Sequence, residues 1–162
     1  MNRPILGVDP GLQRTGYAIL AREGRQGKLI EGGVLRTNPA QSLSERIGEI
    51  AVGLRDVIDE HRPGLLAVEM AIAHGRNHRS SLIVAQVRGA IMLVAADFKL
   101  PVIHLAPTEV KRMLTGSGRA SKAQVQAAIQ NELRLSAVLE PNDVADASAI
   151  ALSVLHRVRF AA

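Results

Sequence analysis

Two carboxylates in this chain stand where an apolar residue would be expected. Asp9 closes the apolar run Pro4 to Asp9 (PILGVD) and Glu69 closes Leu65 to Glu69 (LLAVE), each directly after a valine. A second pair, Asp143 and Asp146, is spaced by three at the start of a C-terminal helical pattern, so both acids share one helix face near its positive end. Taken singly, each has an ordinary reading, because strand ends meet water and acids are favoured in the first turn of a helix. Four acids brought together would be another matter. Two like charges about 4 Å apart repel by roughly 4 kcal/mol at an effective dielectric near 20, and a cation resolves the conflict. Oxygen ligands in a chain without cysteine point to a hard divalent ion, Mg²⁺ or Mn²⁺, and several carboxylates can hold two such ions roughly 4 Å apart. That is equipment for phosphoryl transfer. One ion helps to deprotonate an attacking water while the other stabilises the departing oxygen of a phosphodiester.

Whether the acids meet depends on the elements that carry them. Pro4 to Asp9, Gly16 to Ala21 and Lys28 to Leu35 read as strands of an antiparallel meander, punctuated by Pro10-Gly11 and the turn-rich Glu23 to Gly27. The period then changes: Leu43, Ile47, Ile50, Leu54 and Ile58 recur at steps of four and three, with Ser42 and Glu45 placed as a capping box. Leu65 to Glu69 follows Pro63-Gly64, and a connection that contains a helix normally returns the chain as a parallel strand. Asp9 and Glu69 then emerge at the same carboxyl edge of the sheet, where open α/β sheets place their ligands.

A helix is expected from about Ser81 to Phe98, a strand over Val102 to Leu105, and a short helix opened by Pro107. Ser121 with Gln124 caps another helix to about Leu133, and the last starts near Asn142 and runs toward Val158. Its small residues, Ala145, Ala147, Ala149 and Ala151, suit close packing on the sheet, which would carry both aspartates to the same edge. The expected fold is a three-layer α/β arrangement, a mixed five-stranded sheet of three antiparallel strands and then parallel additions, in a single domain over residues 1–162.

Composition narrows the function. Apolar residues make up 47% and charged residues 22%, which excludes wholesale disorder. The absence of cysteine removes disulfide frameworks, thiolate zinc sites and cysteine nucleophiles, and fits a reducing, cytoplasmic setting. With only Tyr17, Phe98 and Phe160 aromatic, a binding surface of several stacked rings is excluded. The longest uncharged apolar run, Gly89 to Ala96, falls far short of the roughly 20 residues of a bilayer span, and Asp9 comes too early for a signal-peptide core. No membrane association is expected. The net charge of +5 is concentrated: the segment from Met70 to Lys122 carries +6 and the remainder −1. A basic stretch of this kind is the footprint expected for a polyanion such as nucleic acid.

Several of these residues together resemble a family. Gly7-Val8-Asp9-Pro10-Gly11 with Thr15-Gly16-Tyr17, then Val68-Glu69, Gln86-Val87-Arg88-Gly89, and Asp143-x-x-Asp146 followed by Ala147 to Ala151, are similar to the RuvC-type Holliday-junction resolvases of bacteria. Spacing and order match over nearly the whole chain. The resemblance implies a ribonuclease-H-like fold, a homodimer, and divalent-metal cleavage of two opposed strands of a four-way DNA junction. It assigns Asp9, Glu69, Asp143 and Asp146 as catalytic acids and metal ligands, matches Lys111 and Lys122 to basic residues of the family, and implies a branch-migration helicase partner.

The residues add their own support for a DNA surface. Lys111 and Lys122 flank Gly116-Ser117-Gly118, a loop whose backbone could approach a phosphate closely. After Glu69, the segment Met70 to Arg79 offers Arg76, Asn77 and Arg79 for phosphate or base contacts. Ile72 occupies a place where the family commonly has an aromatic residue; it is an apolar wedge able to part bases but without a ring to stack. His74 and His78 have zinc-ligand spacing only on a helix, which Gly75 argues against. The helix from Ser81 is apolar around much of its circumference, from burial or from a dimer interface. Two alternatives stay open: a non-catalytic junction-binding scaffold, and an actin-like ATPase, for which 162 residues provide about one of the two lobes needed.

Overall fold

The computed structural model describes residues 3–70 and 78–160. Its elements are β1 (Ile5–Asp9), β2 (Arg14–Glu23), β3 (Gln26–Arg36), α1 (Leu43–His61), β4 (Leu65–Glu69), α2 (His78–Asp97), β5 (Val102–Leu105), α3 (Pro107–Thr115), α4 (Lys122–Glu132) and α5 (Asn142–Phe160). The strands form one sheet in the order β3-β2-β1-β4-β5. Pairing is antiparallel for β1/β2 and β2/β3 and parallel for β1/β4 and β4/β5, as the meander and the crossovers predict.

Alternation along the strands sorts the core into two layers. Leu6, Val8, Leu66 and Val68 pack with Ile50, Leu54 and Ile58 of α1 and with Val87, Ile91 and Val94 of α2. Ile5 and Ala67 face the other way, toward Ala145, Ala149, Ile150 and Leu152 of α5. The result is the expected α/β/α sandwich around a mixed five-stranded sheet. Both capping boxes form: Ser42 accepts from the Glu45 amide and Ser121 from the Gln124 amide, with each side chain at the third helical position reaching back.

Helix α5 lies unusually close to the sheet, and two glycines permit it. A Cβ on Gly7 would collide with the Ala147 carbonyl oxygen, and one on Gly16 with the Asp143 carbonyl oxygen. The lack of a side chain at Gly16 thus sets the height at which α5 begins.

The second and third strands run longer than the sequence pattern suggests. Helix α2 begins at His78, three residues before the expected Ser81. His74 and the candidate contacts Ile72, Arg76 and Asn77 lie outside the described residues, whereas Arg79 is exposed in the first turn of α2. From Arg79 to Asp97 this helix is long and apolar enough, on length and composition alone, to pass for a membrane span, although no single uncharged run within it is that long. Val87, Ile91, Val94 and Ala95 are buried against the sheet, while Leu82 and Leu93 are 64% and 61% exposed. Its apolar excess therefore lies on the protein's surface and not in its core.

Candidate active site

Asp9 and Glu69 end neighbouring parallel strands, since Val8 is in register with Val68. Period-2 alternation turns both toward the α5 face, because each is two residues beyond a position already on that face, Gly7 and Ala67. Helix α5 supplies the other two. Its first turn lies over Gly16, the residue paired with Asp9 across β1/β2, so Asp143 in that turn and Asp146 three residues on arrive at the sheet edge. Asp9, Glu69 and Asp146 line one cleft of about 350 Å³ together with Lys111 of α3 and Lys122 of α4. Asp143 stands beside it, its carboxylate 2.6 Å from a guanidinium nitrogen of Arg14. All four acids named from the sequence converge, as do both lysines.

The electrostatics match a set of acids that needs a cation. Asp9 is pushed up to about 7, first by burial and then by repulsion from Asp146, Glu69 and Asp143, with Lys122 pulling the other way. Glu69 is raised by burial and by Asp146, and Lys111 and Arg88 offset part of the rise. Asp146 is raised chiefly by burial, against Lys122. The donors are carboxylate oxygens on the ends of two strands and one helix, held by rigid elements. That donor set and its mutual repulsion suit hard divalent ions.

Two further cations stand at this site, Arg14 and Arg88. Arg14 pairs with an acid 129 positions away in the chain. Arg88 of α2 faces Glu69, which opposes the effect of burial on its guanidinium; one terminal nitrogen donates to His104 Nδ1 at 2.9 Å, while Nε is buried without a hydrogen-bond partner. The Gln86-Val87-Arg88-Gly89 match marked Arg88 as part of a motif, but its role required knowing that α2 passes Glu69. Nothing local marks Arg14.

Comparison with known proteins agrees with this geometry. A family model described as "Crossover junction endodeoxyribonuclease RuvC" matches residues 5–156. The chain is 46% identical over 148 residues to the protein of that name from Rhodopirellula baltica, covering 91% of this chain and 83% of the relative. It is 40% identical over 155 residues to the one from Synechococcus sp. strain CC9311, covering 92% and 96%. Among solved structures, Thermus thermophilus RuvC in complex with Holliday junction substrate superposes with a TM-score of 0.91 at 30% identity, covering 98% of this chain and 96% of that one. From the fold, the clustered acids and these matches, the chain belongs to the RuvC family of crossover junction endodeoxyribonucleases.

Proposed function

We propose that this chain resolves four-way DNA junctions as a homodimer, each protomer hydrolysing one phosphodiester of a symmetric pair. The observation that carries the reading is the convergence of Asp9, Glu69 and Asp146 with Lys111 and Lys122 in one cleft, with Asp143 beside it. Asp9, Glu69, Asp143 and Asp146 would hold Mg²⁺ or Mn²⁺, two ions per site, which when bound supply an activated water and stabilise the leaving oxygen. Lys111 and Lys122 hold the backbone phosphate and balance the acids before DNA arrives. Arg88 orients Glu69, and Arg14 pairs with Asp143 and offsets its charge until metal binds. No side chain serves as nucleophile.

The DNA surface continues along the basic stretch to Arg79 at the start of α2 and includes the segment carrying Ile72, Arg76 and Asn77. A branch-migration helicase complex is the partner that would deliver the junction, in a cytoplasmic setting.

Support for the dimer comes from α2. Leu82, Ala85, Gln86, Gly89, Met92, Leu93 and Ala96 recur at steps of three and one along a single outward stripe, and all are exposed. At Gly89 an added Cβ would meet nothing within 4 Å, so a second helix could approach closely there. Such an isologous contact would relate two clefts by a two-fold axis, matching the symmetry of a junction.

The test is a labelled four-way junction with Mg²⁺ or Mn²⁺. Paired symmetric nicks are expected from the protein, and Asp9→Asn is expected to bind the junction without cutting it. Binding without cleavage by the unaltered protein in either metal would favour a scaffold. Equal cutting of linear duplex would remove junction selectivity and leave a general metal nuclease.

A further inference from the structure

On the sheet face opposite α5, a second group of ligand atoms has formed away from the cleft. Glu31 of β3, Glu60 and His61 at the end of α1 each bring one donor atom within 4.8 Å of the others. His61 Nε2 lies 3.3 Å from Glu31 Oε2. Two ligand atoms bonded at about 2.0–2.1 Å to a tetrahedral zinc ion are about 3.3–3.4 Å apart, so this pair already has the spacing of one tetrahedral edge.

Three features distinguish the cluster from an ordinary surface ion pair. His61 Nε2 is shielded from solvent and makes no hydrogen bond; its 3.3 Å contact with Glu31 Oε2 is an ion-pair distance whose geometry falls short of one, so a buried ring nitrogen keeps an unfilled hydrogen-bonding position. The other oxygen of Glu31 is already engaged, Oε1 accepting from the Tyr17 hydroxyl at 2.7 Å, which leaves Oε2 fixed toward His61. That is the outer-shell arrangement that orients a ligating carboxylate. Finally, room for Tyr17 is built in: a Cβ on Gly33 would meet the Tyr17 ring and hydroxyl at 2.6–2.8 Å. The phenol remains protonated to donate, burial and the two glutamates pushing it up to about 12.

We propose that Glu31, Glu60 and His61 form a structural site for a divalent d-block ion of zinc type, separate from the acid cleft, which pins the edge strand β3 to the end of α1. An imidazole nitrogen beside two carboxylates suits such an ion, whereas the all-oxygen set of the cleft suits Mg²⁺ or Mn²⁺. A fourth position is left for water.

The experiment titrates tag-free, full-length protein with Zn²⁺ by calorimetry, in an Asp9→Asn/Asp146→Asn background that weakens the cleft as a competing site. One zinc per chain is expected to bind. His61→Ala is expected to lower the affinity at least thirtyfold, and Glu31→Gln and Glu60→Gln about tenfold each. At zinc a hundredfold above the dissociation constant, Tm is expected to rise by about 5–10 °C, and this rise disappears in His61→Ala. Glu60 is exposed, so Glu60→Gln provides the same readout should His61→Ala fold poorly. No zinc bound, or zinc bound equally by all three variants, would overturn the site. Neither result bears on junction cleavage, which depends on the opposite face of the sheet.

Discussion

Arg14, the first residue of β2, and Asp143, in the first turn of α5, form an ion pair of 2.6 Å at the edge of the acid cleft. The guanidinium occupies part of the space and offsets part of the charge that a metal ion would otherwise claim. Both side chains are partly exposed, so the pair contributes at most about 1 kcal/mol. Arg14→Gln should therefore raise the apparent affinity for Mg²⁺ or Mn²⁺ by up to about fivefold, read from the metal dependence of cleavage. Weaker metal binding in the variant would show that Arg14 presents Asp143 to the ion and does not compete with it.

Asp9 links stability to pH. Its pKa in the folded protein is raised to about 7, so its favourable contribution is complete below about pH 4, the unfolded value, and is lost as pH rises toward and through 7. A rise of that size corresponds to on the order of 2–4 kcal/mol. In the presence of a chelator, Asp9→Asn should match the unaltered protein near pH 4 and melt about 4–10 °C higher at pH 8. A stability gap that does not change with pH would refute the assignment.

The same proton competes with metal. Below about pH 7, metal affinity should fall about tenfold per pH unit as Asp9 protonates. Lys122 pulls Asp9 and Asp146 downward, so Lys122→Gln should move the rising limb of the pH–cleavage profile to higher pH. It should also weaken junction binding through the lost phosphate contact. A lower affinity with an unmoved profile would place Lys122 on the DNA alone.

Gly16 sets the position of α5. Gly16→Ala drives a methyl group into the Asp143 carbonyl, which should cost about 1–3 kcal/mol and slow cleavage more than tenfold by displacing Asp143 and Asp146. Gly48, in α1, has open space around its Cβ position and serves as the control, with Gly48→Ala expected to add about 0.5–1 kcal/mol. Denaturant melts and single-turnover cleavage distinguish the two.

Leu93 is exposed, so Leu93→Glu should leave the protomer folded while converting a dimer to a monomer by light scattering. Paired incision of a junction should then fail even where single nicks persist. An unchanged dimer would move the interface off the α2 stripe.

Much of this molecule was legible from local chemistry. Ser42 with Glu45 and Ser121 with Gln124 mark two helix starts because a cap satisfies amides within its own first turn. Asp9 and Glu69 could be placed together because crossover handedness and the period of two leave few other arrangements for two short apolar strands. The alanines of α5 announced close packing by their size alone.

Local pattern therefore accounts for the layers, the sense of strand pairing and the edge where the acids gather. The packing of the elements sets the strand order, brings Arg14 to Asp143 and Arg88 to Glu69, turns the apolar excess of α2 outward, and joins His61 to Glu31. The reason is the range of the forces involved. Hydrophobic periodicity and capping act between residues a few positions apart and leave a repeating trace in the chain. The partner of a charged side chain depends on the register and height at which separate elements pack, and no local pattern records it.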